Sequence, residues 1–255
     1  MEKTPIISVN GLSKQFGSFT AVDHISFEVY RGEIFGFLGA NGAGKTTAMR
    51  MLCGLSFSTA GTGTVVGYDV RTQSEFIKRH IGYMSQRFSL YEDLTVAENM
   101  ALYGGIYGMS QNDIRARVDE LLGRLNFADH KDDLVGSLPL GWKQKLAFMI
   151  ATIHRPELVF LDEPTGGVDP ITRRQFWDLI RATAKEGTTI FVTTHYMDEA
   201  EYCDRITMMV DGTIRALDTP ANLRRHFADR LQRTYEDMTM EQVFYHLARE
   251  AKRGE

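Results

Sequence analysis

The pattern with the clearest chemistry is a glycine-rich loop between an apolar run and a helix-compatible segment. Residues 39–46 read Gly-Ala-Asn-Gly-Ala-Gly-Lys-Thr, which matches the spacing G-x-x-x-x-G-K-[ST]. Glycines let successive N–H groups point inward at phosphate oxygens, and the dipole of the following helix favours anions. Lys45 can reach the terminal phosphates, and Thr46 offers a hydroxyl to Mg²⁺. We predict a nucleotide site formed by Gly39, Asn41, Gly42, Ala43, Gly44, Lys45, Thr46 and Thr47.

Two carboxylates follow a second apolar run. Residues 158–161 are Leu-Val-Phe-Leu, and Asp162 and Glu163 come next. This pattern indicates a buried parallel strand whose carboxyl end delivers acids to the edge where α/β sheets bind ligands. Asp162 is then a candidate Mg²⁺ ligand, and Glu163 a candidate base that polarises an attacking water. The alternative is that the two acids have only a structural role in a turn at Pro164. The presence of the phosphate loop in the same chain favours the functional role.

Two polar residues complete a candidate catalytic set. Gln86 follows the strand-like run 81–85, and His195 follows the buried-strand pattern 189–194. A glutamine there can contact Mg²⁺ or the water, and a histidine can reach a γ-phosphate. A single glutamine or histidine at such a position is more often a surface polar group. The order of Gln86 and His195 after the phosphate loop favours a catalytic role for both. We predict that Glu163, His195 and Gln86 are catalytic, and that Thr46, Gln86 and Asp162 hold the metal.

The elements that must position these residues form an α/β pattern. Short β-rich runs lead to Leu38, and strands alternate with a helix over 171–185 after Pro156, as parallel α/β units do. Residues 91–154 are predicted to be an all-helical insert with an amphipathic helix around Val118. Residues 220–255 are predicted to be a helical tail. We expect a single domain over 1–255.

Composition narrows the function classes. The 255 residues carry a net charge of −4 with scattered basic residues, which argues against a nucleic-acid partner. No run approaches 18 apolar residues and the start lacks a secretory apolar core, so we expect a chain that does not cross a bilayer. Cys53 and Cys203 are expected to be buried thiols in a reducing compartment. His154, before Arg155 and Pro156, is expected to be a solvated residue at a helix end.

The ordered set of motifs resembles the ATP-binding-cassette (ABC) family, specifically the nucleotide-binding subunit of a membrane transporter. The resemblance covers nearly the whole chain, including the loop, Gln86, the Asp162 and Glu163 pair, the Gly167-Val168-Asp169 turn and His195. It implies a P-loop NTPase fold, with a RecA-like parallel sheet core, an antiparallel β subdomain and a helical insert. It also implies ATP and Mg²⁺ as cofactors, with Phe16 stacked on adenine.

The same resemblance implies partners and a location. Such a subunit pairs with a second cassette and powers a separate transmembrane permease, so it lies at the cytoplasmic face of the membrane as a peripheral protein. Residues 193–201 and 238–244 look most like the ATPase subunits of drug and antibiotic exporters. We therefore expect the export of a small molecule.

One motif departs from the family. The signature Leu-Ser-Gly-Gly-Gln is expected before the helix at Lys143, and the chain reads Leu-Pro-Leu-Gly-Trp over 138–142. In the family, the signature serine hydroxyl and glycine N–H groups contact the γ-phosphate held by the partner cassette. Pro139 supplies neither donor, Leu140 crowds the first glycine position, and Gly141 alone remains to contact that nucleotide. Pro139 therefore favours a different cassette as the partner. Gly166 is a second departure, where serine is common.

Two interpretations stay open at the segment after Gln86. In the family this neighbourhood receives a short helix of the membrane subunit, and Phe88 and Tyr91 fit such a contact. The same aromatics fit a packed seam between subdomains. For the whole chain, the alternatives to a transport ATPase are a poorly hydrolysing cassette that signals by dimerisation and a soluble ABC ATPase outside transport.

Overall fold

The computed structural model describes residues 4–253 as two β-sheets with helices packed around them. The strands are β1 Pro5–Phe16, β2 Phe19–Tyr30, β3 Ile34–Gly39, β4 Ala60–Val65, β5 Tyr68–Asp69, β6 Ile81–Met84, β7 Leu158–Asp162, β8 Thr189–Thr194, β9 Arg205–Val210 and β10 Thr213–Asp218. The α-helices are α1 Lys45–Leu52, α2 Ser74–His80, α3 Val96–Ile106, α4 Gln111–Arg124, α5 Leu140–Ala151, α6 Pro170–Lys185, α7 Pro220–Leu231 and α8 Met240–Arg253. Short 3₁₀ helices span Ala128–His130, Val135–Ser137 and Met197–Tyr202.

The larger sheet places four motif-bearing strands side by side. Its order is β10-β9-β3-β8-β7-β6, with β10 antiparallel to β9 and every other pairing parallel. All residues of β3, β7 and β8 are buried, as expected for strands covered on both faces. The carboxyl ends of β3, β8, β7 and β6 therefore meet at one edge of the sheet.

The smaller sheet is antiparallel and covers α1. Its order is β2-β1-β4-β5. Alternate residues of β2 point inward, and Phe27 stacks on Phe35 of β3 with ring centroids 5.6 Å apart. This packing joins the two sheets through one hydrophobic core that also encloses the apolar face of α1. The fold class predicted from the sequence, an α/β P-loop NTPase with an antiparallel β subdomain and helical insert, is confirmed.

Helices α3, α4 and α5 have a hydrophobic core of their own, which includes Val118 and Phe127. Their starts follow capping rules: Thr95 forms a capping box with Glu98 at α3, and Ser110 caps α4. The opposite face of α5 contacts a further hydrophobic core through Phe148. This core, which also includes Val159 of β7 and Trp177 of α6, is called the core beneath the larger sheet. These helices occupy the stretch where the insert was predicted, and α7 and α8 occupy the tail.

The tail packs against the same core beneath the larger sheet. Phe227 of α7 and Val243 of α8 are buried there. No helix among the described residues is long and apolar enough to span a membrane.

His154 is not the solvated helix-end residue expected from the sequence. Its ring stacks on Tyr107 with centroids 3.6 Å apart and is partly buried between the helical insert and the larger sheet, with both ring nitrogens shielded from solvent. Burial lowers the pKa of His154 to about 4; a backbone contact with Ile81 opposes this effect, and the nearby Arg117 guanidinium adds to it. Cys53 and Cys203 are both buried as expected.

Candidate nucleotide-hydrolysis site

The loop between β3 and α1 adopts the backbone that its glycines allow. Gly44 has φ of 101°, and a Cβ there would lie 2.3 Å from the carbonyl oxygen of Ala21. A Cβ on Gly39 would lie 2.5 Å from the carbonyl oxygen of Met209. Side chains are therefore excluded where the loop passes the neighbouring strands. No side chain of the described residues caps the amino end of α1, so its N–H groups remain available for an anion.

Lys45 is held in the cradle as a buried cation. Its side chain is 4% exposed, and Nζ donates to the carbonyl oxygens of Gly39 at 2.9 Å and Ala40 at 3.0 Å. The same Nζ lies 3.3 Å from Oε1 of Glu163. A buried charge needs such partners because its desolvation is costly. The ammonium group is thus fixed between the loop and the acid that follows β7.

Asp162 lies at the end of β7, beside the start of α1. Its Oδ1 accepts hydrogen bonds from Thr46 Oγ1 at 3.1 Å and from Thr193 Oγ1 at 2.6 Å. The side chain is almost fully buried, and this desolvation raises the pKa of Asp162 above the usual aspartate value. The hydroxyl of Thr46 and this carboxylate are hard oxygen donors side by side, which suits Mg²⁺.

Glu163 is the residue on which the site converges. Its carboxylate lies within 3.3 Å of Lys45 Nζ, accepts a hydrogen bond from Gln86 Nε2 at 3.1 Å and lies 3.0 Å from Nδ1 of His195. Its φ of 48° is unusual for a non-glycine residue, and its N–H donates to both the carbonyl and the hydroxyl of Thr193. Backbone and side-chain contacts together fix the direction of this carboxylate.

A cavity of about 350 Å³ lies over the loop. It brings together residues of β2, the loop and α1 with two residues that follow β6 and β7: Phe19, Ala21, Asn41, Gly42, Gly44, Lys45, Thr46, Thr47, Gln86 and Glu163. His195 does not line this cavity but lies beside Glu163, with Nδ1 3.0 Å from Oε2. The structure therefore gathers the predicted loop, metal and catalytic residues at one edge of the sheet.

Two predicted nucleotide contacts lie elsewhere. Phe16, at the end of β1, is 54% exposed and does not line this cavity, whereas Phe19 does. Gly141 lines a separate cavity with Asp169 and Thr172, on the face formed by α5 and the turn before α6. Phe16 and Gly141 therefore remain predictions, Gly141 as a group offered to a partner cassette.

The altered signature begins α5. Pro139 is the N-cap residue and has no side chain that could cap the helix. Leu140 is 46% exposed and presents an apolar side chain where the family has glycine. Trp142 stacks on Phe127 with centroids 4.3 Å apart, so the segment is anchored to the helical insert.

Two contributors were missed from the sequence. Thr193 binds both Asp162 and the backbone of Glu163, and its signal was a polar residue within the buried run of β8. Phe19 lies on the loop cavity, and no sequence signal separated it from Phe16, since the two pair across the β1–β2 turn.

The comparisons with known proteins match the part of the chain that carries the phosphate loop and the Asp162–Glu163 pair. The ABC transporter family model matches residues 22–166. The chain is 47% identical over 253 residues to the probable multidrug ABC transporter ATP-binding protein YbhF of Escherichia coli K12. This match covers 97% of the chain and 43% of YbhF. It is 38% identical to the Nod factor export ATP-binding protein I of Ralstonia nicotianae, covering 88% of the chain and 70% of the relative.

A solved ATP-binding subunit of an ABC transporter superposes with a TM-score of 0.82 at 26% identity. It covers 95% of this chain and 99% of its own length. The chain spans less than half of YbhF, so the match describes one part of that larger protein. Motifs, site geometry and comparisons lead to one conclusion: the chain belongs to the ABC transporter family, and it resembles the ATP-binding subunits of that family's exporters.

Proposed function

We propose that this chain binds ATP with Mg²⁺ and hydrolyses it to power a separate membrane permease that exports a small molecule. The observation that carries the hydrolytic part is the Glu163 carboxylate, which Lys45, Gln86 and His195 all contact within 3.3 Å. Phosphoryl transfer depends on positioning and charge stabilisation, and these residue types supply both.

The roles follow from the contacts. Lys45 supplies positive charge beside the loop, where N–H groups at the start of α1 receive phosphates. Thr46, Asp162 and Gln86 would hold the metal, and Glu163 would accept the proton of the attacking water. His195 contacts Glu163 and would orient it, and it would also stabilise charge on the γ-phosphate. Bound Mg²⁺ would neutralise charge on the phosphates.

Export and the permease rest on the relatives' names and on the sequence resemblance. The expected location is the cytoplasmic face of the membrane. The segment from Phe88 to Tyr91, which is neither helix nor strand, is the expected contact for the permease. Tyr91 is 50% exposed there, while Phe88 packs against the core beneath the larger sheet. The reading frame beside this one should encode about six membrane helices, and a neighbouring frame without any would contradict the transport assignment.

A second candidate function is a cassette that holds ATP and turns it over slowly. The specific observation in its favour is the apolar start of α5, where Pro139 and the exposed Leu140 replace donors. Two identical chains would face each other with two weakened signatures. Pairing with a different cassette that carries the intact serine would restore one complete site, and we favour that assembly.

The experiment that tests the proposal is ATP binding and hydrolysis by the purified chain. Lys45→Ala should abolish Mg·ATP binding, because the buried ammonium group supplies charge to the phosphates. Lys185→Ala is the matched control, since Lys185 is exposed at the end of α6 and should bind like the parent. Equal ATP affinity for Lys45→Ala and Lys185→Ala would overturn the assigned phosphate site.

A further inference from the structure

A buried carboxylate lies behind the catalytic residues. Glu199, in the 3₁₀ helix Met197–Tyr202, is fully buried and comes four residues after His195. Its Oε1 accepts a hydrogen bond of 2.5 Å from the hydroxyl of Thr165, which is itself buried and comes two residues after Glu163. One side chain thus connects the segment that follows His195 with the segment that follows Glu163.

Arg173 approaches the same carboxylate from α6. Its Nε lies 3.8 Å from Glu199 Oε1, and its Nη1 lies 3.9 Å from Asp198. The guanidinium also stacks over the ring of Tyr196, 3.8 Å from the centroid. Tyr196 in turn lies against His195, with ring centroids 4.2 Å apart. Arg173 therefore contacts Tyr196, the residue directly after His195, and Glu199 at the other end of this segment.

Other hydrogen-bond partners do not fully satisfy the polar atoms of Arg173 and Glu199. Among residues 4–253, Arg173 Nε and Glu199 Oε2 are buried and have no hydrogen-bond partner within bonding distance. A buried donor or acceptor without a hydrogen bond is costly. Arg173 and Glu199 therefore interact mainly as opposite charges, with Nε and Oε1 3.8 Å apart.

We propose that Glu199 and Arg173 are positioning residues that hold His195 against Glu163 during ATP hydrolysis, an inference that rests on the proposed ATPase function. Glu199 fixes the two chain segments through Thr165, and Arg173 fixes the ring stack of Tyr196 and His195. Neither residue lines the cavity over the phosphate loop. Their loss should therefore change the rate of the chemical step and leave nucleotide binding intact.

The test separates binding from turnover. Glu199→Gln keeps the shape and an acceptor for Thr165 but removes the charge that faces Arg173. We expect its kcat to fall about 10- to 100-fold, because small misplacements of catalytic groups have effects of this size. The dissociation constant for Mg·ATP should stay within about threefold of the parent value. Glu201→Gln is the matched control, since Glu201 is on the same 3₁₀ helix but half exposed, and it should keep the parent rate.

A double-mutant cycle shows whether the effect passes through His195. In a His195→Ala background, Glu199→Gln should lower single-turnover rates by no more than about twofold, because the group that it positions is gone. A full additional loss in that background would overturn the inference. Parent-like turnover of Glu199→Gln would also overturn it while leaving the ATPase assignment intact. A parent chain that binds ATP without any turnover would instead overturn the proposed function.

Arg173 variants keep the inference testable if Glu199→Gln does not fold. Arg173→Met preserves the aliphatic part of the side chain and should show the same separation of kcat from ATP affinity. Arg173→Lys retains a positive charge and should recover part of the rate. Arg174→Met, at the exposed neighbouring position, is the control that should match the parent. Equal rates for Arg173→Met and Arg174→Met would refute a positioning role.

Discussion

Acidification should lower the free energy of unfolding, because it protonates His154 where the helical insert packs on the larger sheet. Burial lowers the pKa of this imidazole from 6.5 to about 4 in the folded chain. The unfolded chain therefore binds the proton more tightly, and the stability that His154 provides above pH 6.5 is lost as pH falls towards 4. Integrating this difference from about pH 7.5 to about pH 5.0 gives a loss of about 2 kcal/mol.

The assay is urea unfolding at these two pH values for the parent, His154→Phe and His226→Phe. His154→Phe keeps an aromatic ring against Tyr107 but cannot take up a proton, so its free energy of unfolding should fall by about 2 kcal/mol less than that of the parent. His226 is exposed on α7, and His226→Phe is the matched control for exchanging a histidine for an aromatic ring. The reasoning is refuted if His154→Phe and the parent lose the same stability on acidification.

Three further predictions concern the nucleotide site. Phe16→Ala should lower the affinity for ATP and for GTP by about tenfold or more, because a stacked ring accepts either purine. If Phe19→Ala lowers the affinity and Phe16→Ala does not, the stacking belongs to Phe19, which lines the cavity. Asp162→Asn should unfold at a higher urea concentration than the parent at neutral pH. Burial raises the pKa of Asp162, so the folded chain loses stability as pH rises through that pKa and the carboxyl ionises. The gain should disappear in acid, where the parent carboxyl is protonated, and a variant less stable than the parent at neutral pH would contradict this. Pro139→Ser with Leu140→Gly should raise the ATPase rate of the isolated chain by about tenfold or more, as measured by phosphate release; a parent already at the restored rate would remove the case for a different partner cassette.

The motif-bearing edge of the sheet could be predicted because its signals are local. The loop before Lys45 is a continuous pattern, and the runs before Asp162 and His195 are typical of buried parallel strands. The rule that such strands deliver ligand-binding residues at their carboxyl ends then brings the three together. The start of α6 was likewise predictable, since Asp169 and Pro170 are standard residues for a helix beginning.

The contacts between distant segments could not be predicted. Arg173 and Glu199 are joined only when α6 packs beside the 3₁₀ helix, and neither belongs to a periodic pattern. His154 was expected in solvent because it precedes Arg155 and Pro156, yet tertiary packing places Tyr107 over its ring. Such pairs depend on three-dimensional packing, which single-sequence periodicity does not encode.

The most direct measurement of the central claim compares ATP affinity with turnover for the parent, Glu163→Gln and Glu236→Gln. Glu163→Gln retains hydrogen-bonding groups for Gln86 and His195 but cannot accept a proton, whereas Glu236 is exposed and does not line the cavity over the loop. We predict that Glu163→Gln binds Mg·ATP like the parent and hydrolyses it on the order of 100-fold more slowly. Glu236→Gln should match the parent in both measurements. Equal hydrolysis rates for Glu163→Gln and Glu236→Gln would contradict the assignment of Glu163 as the catalytic base.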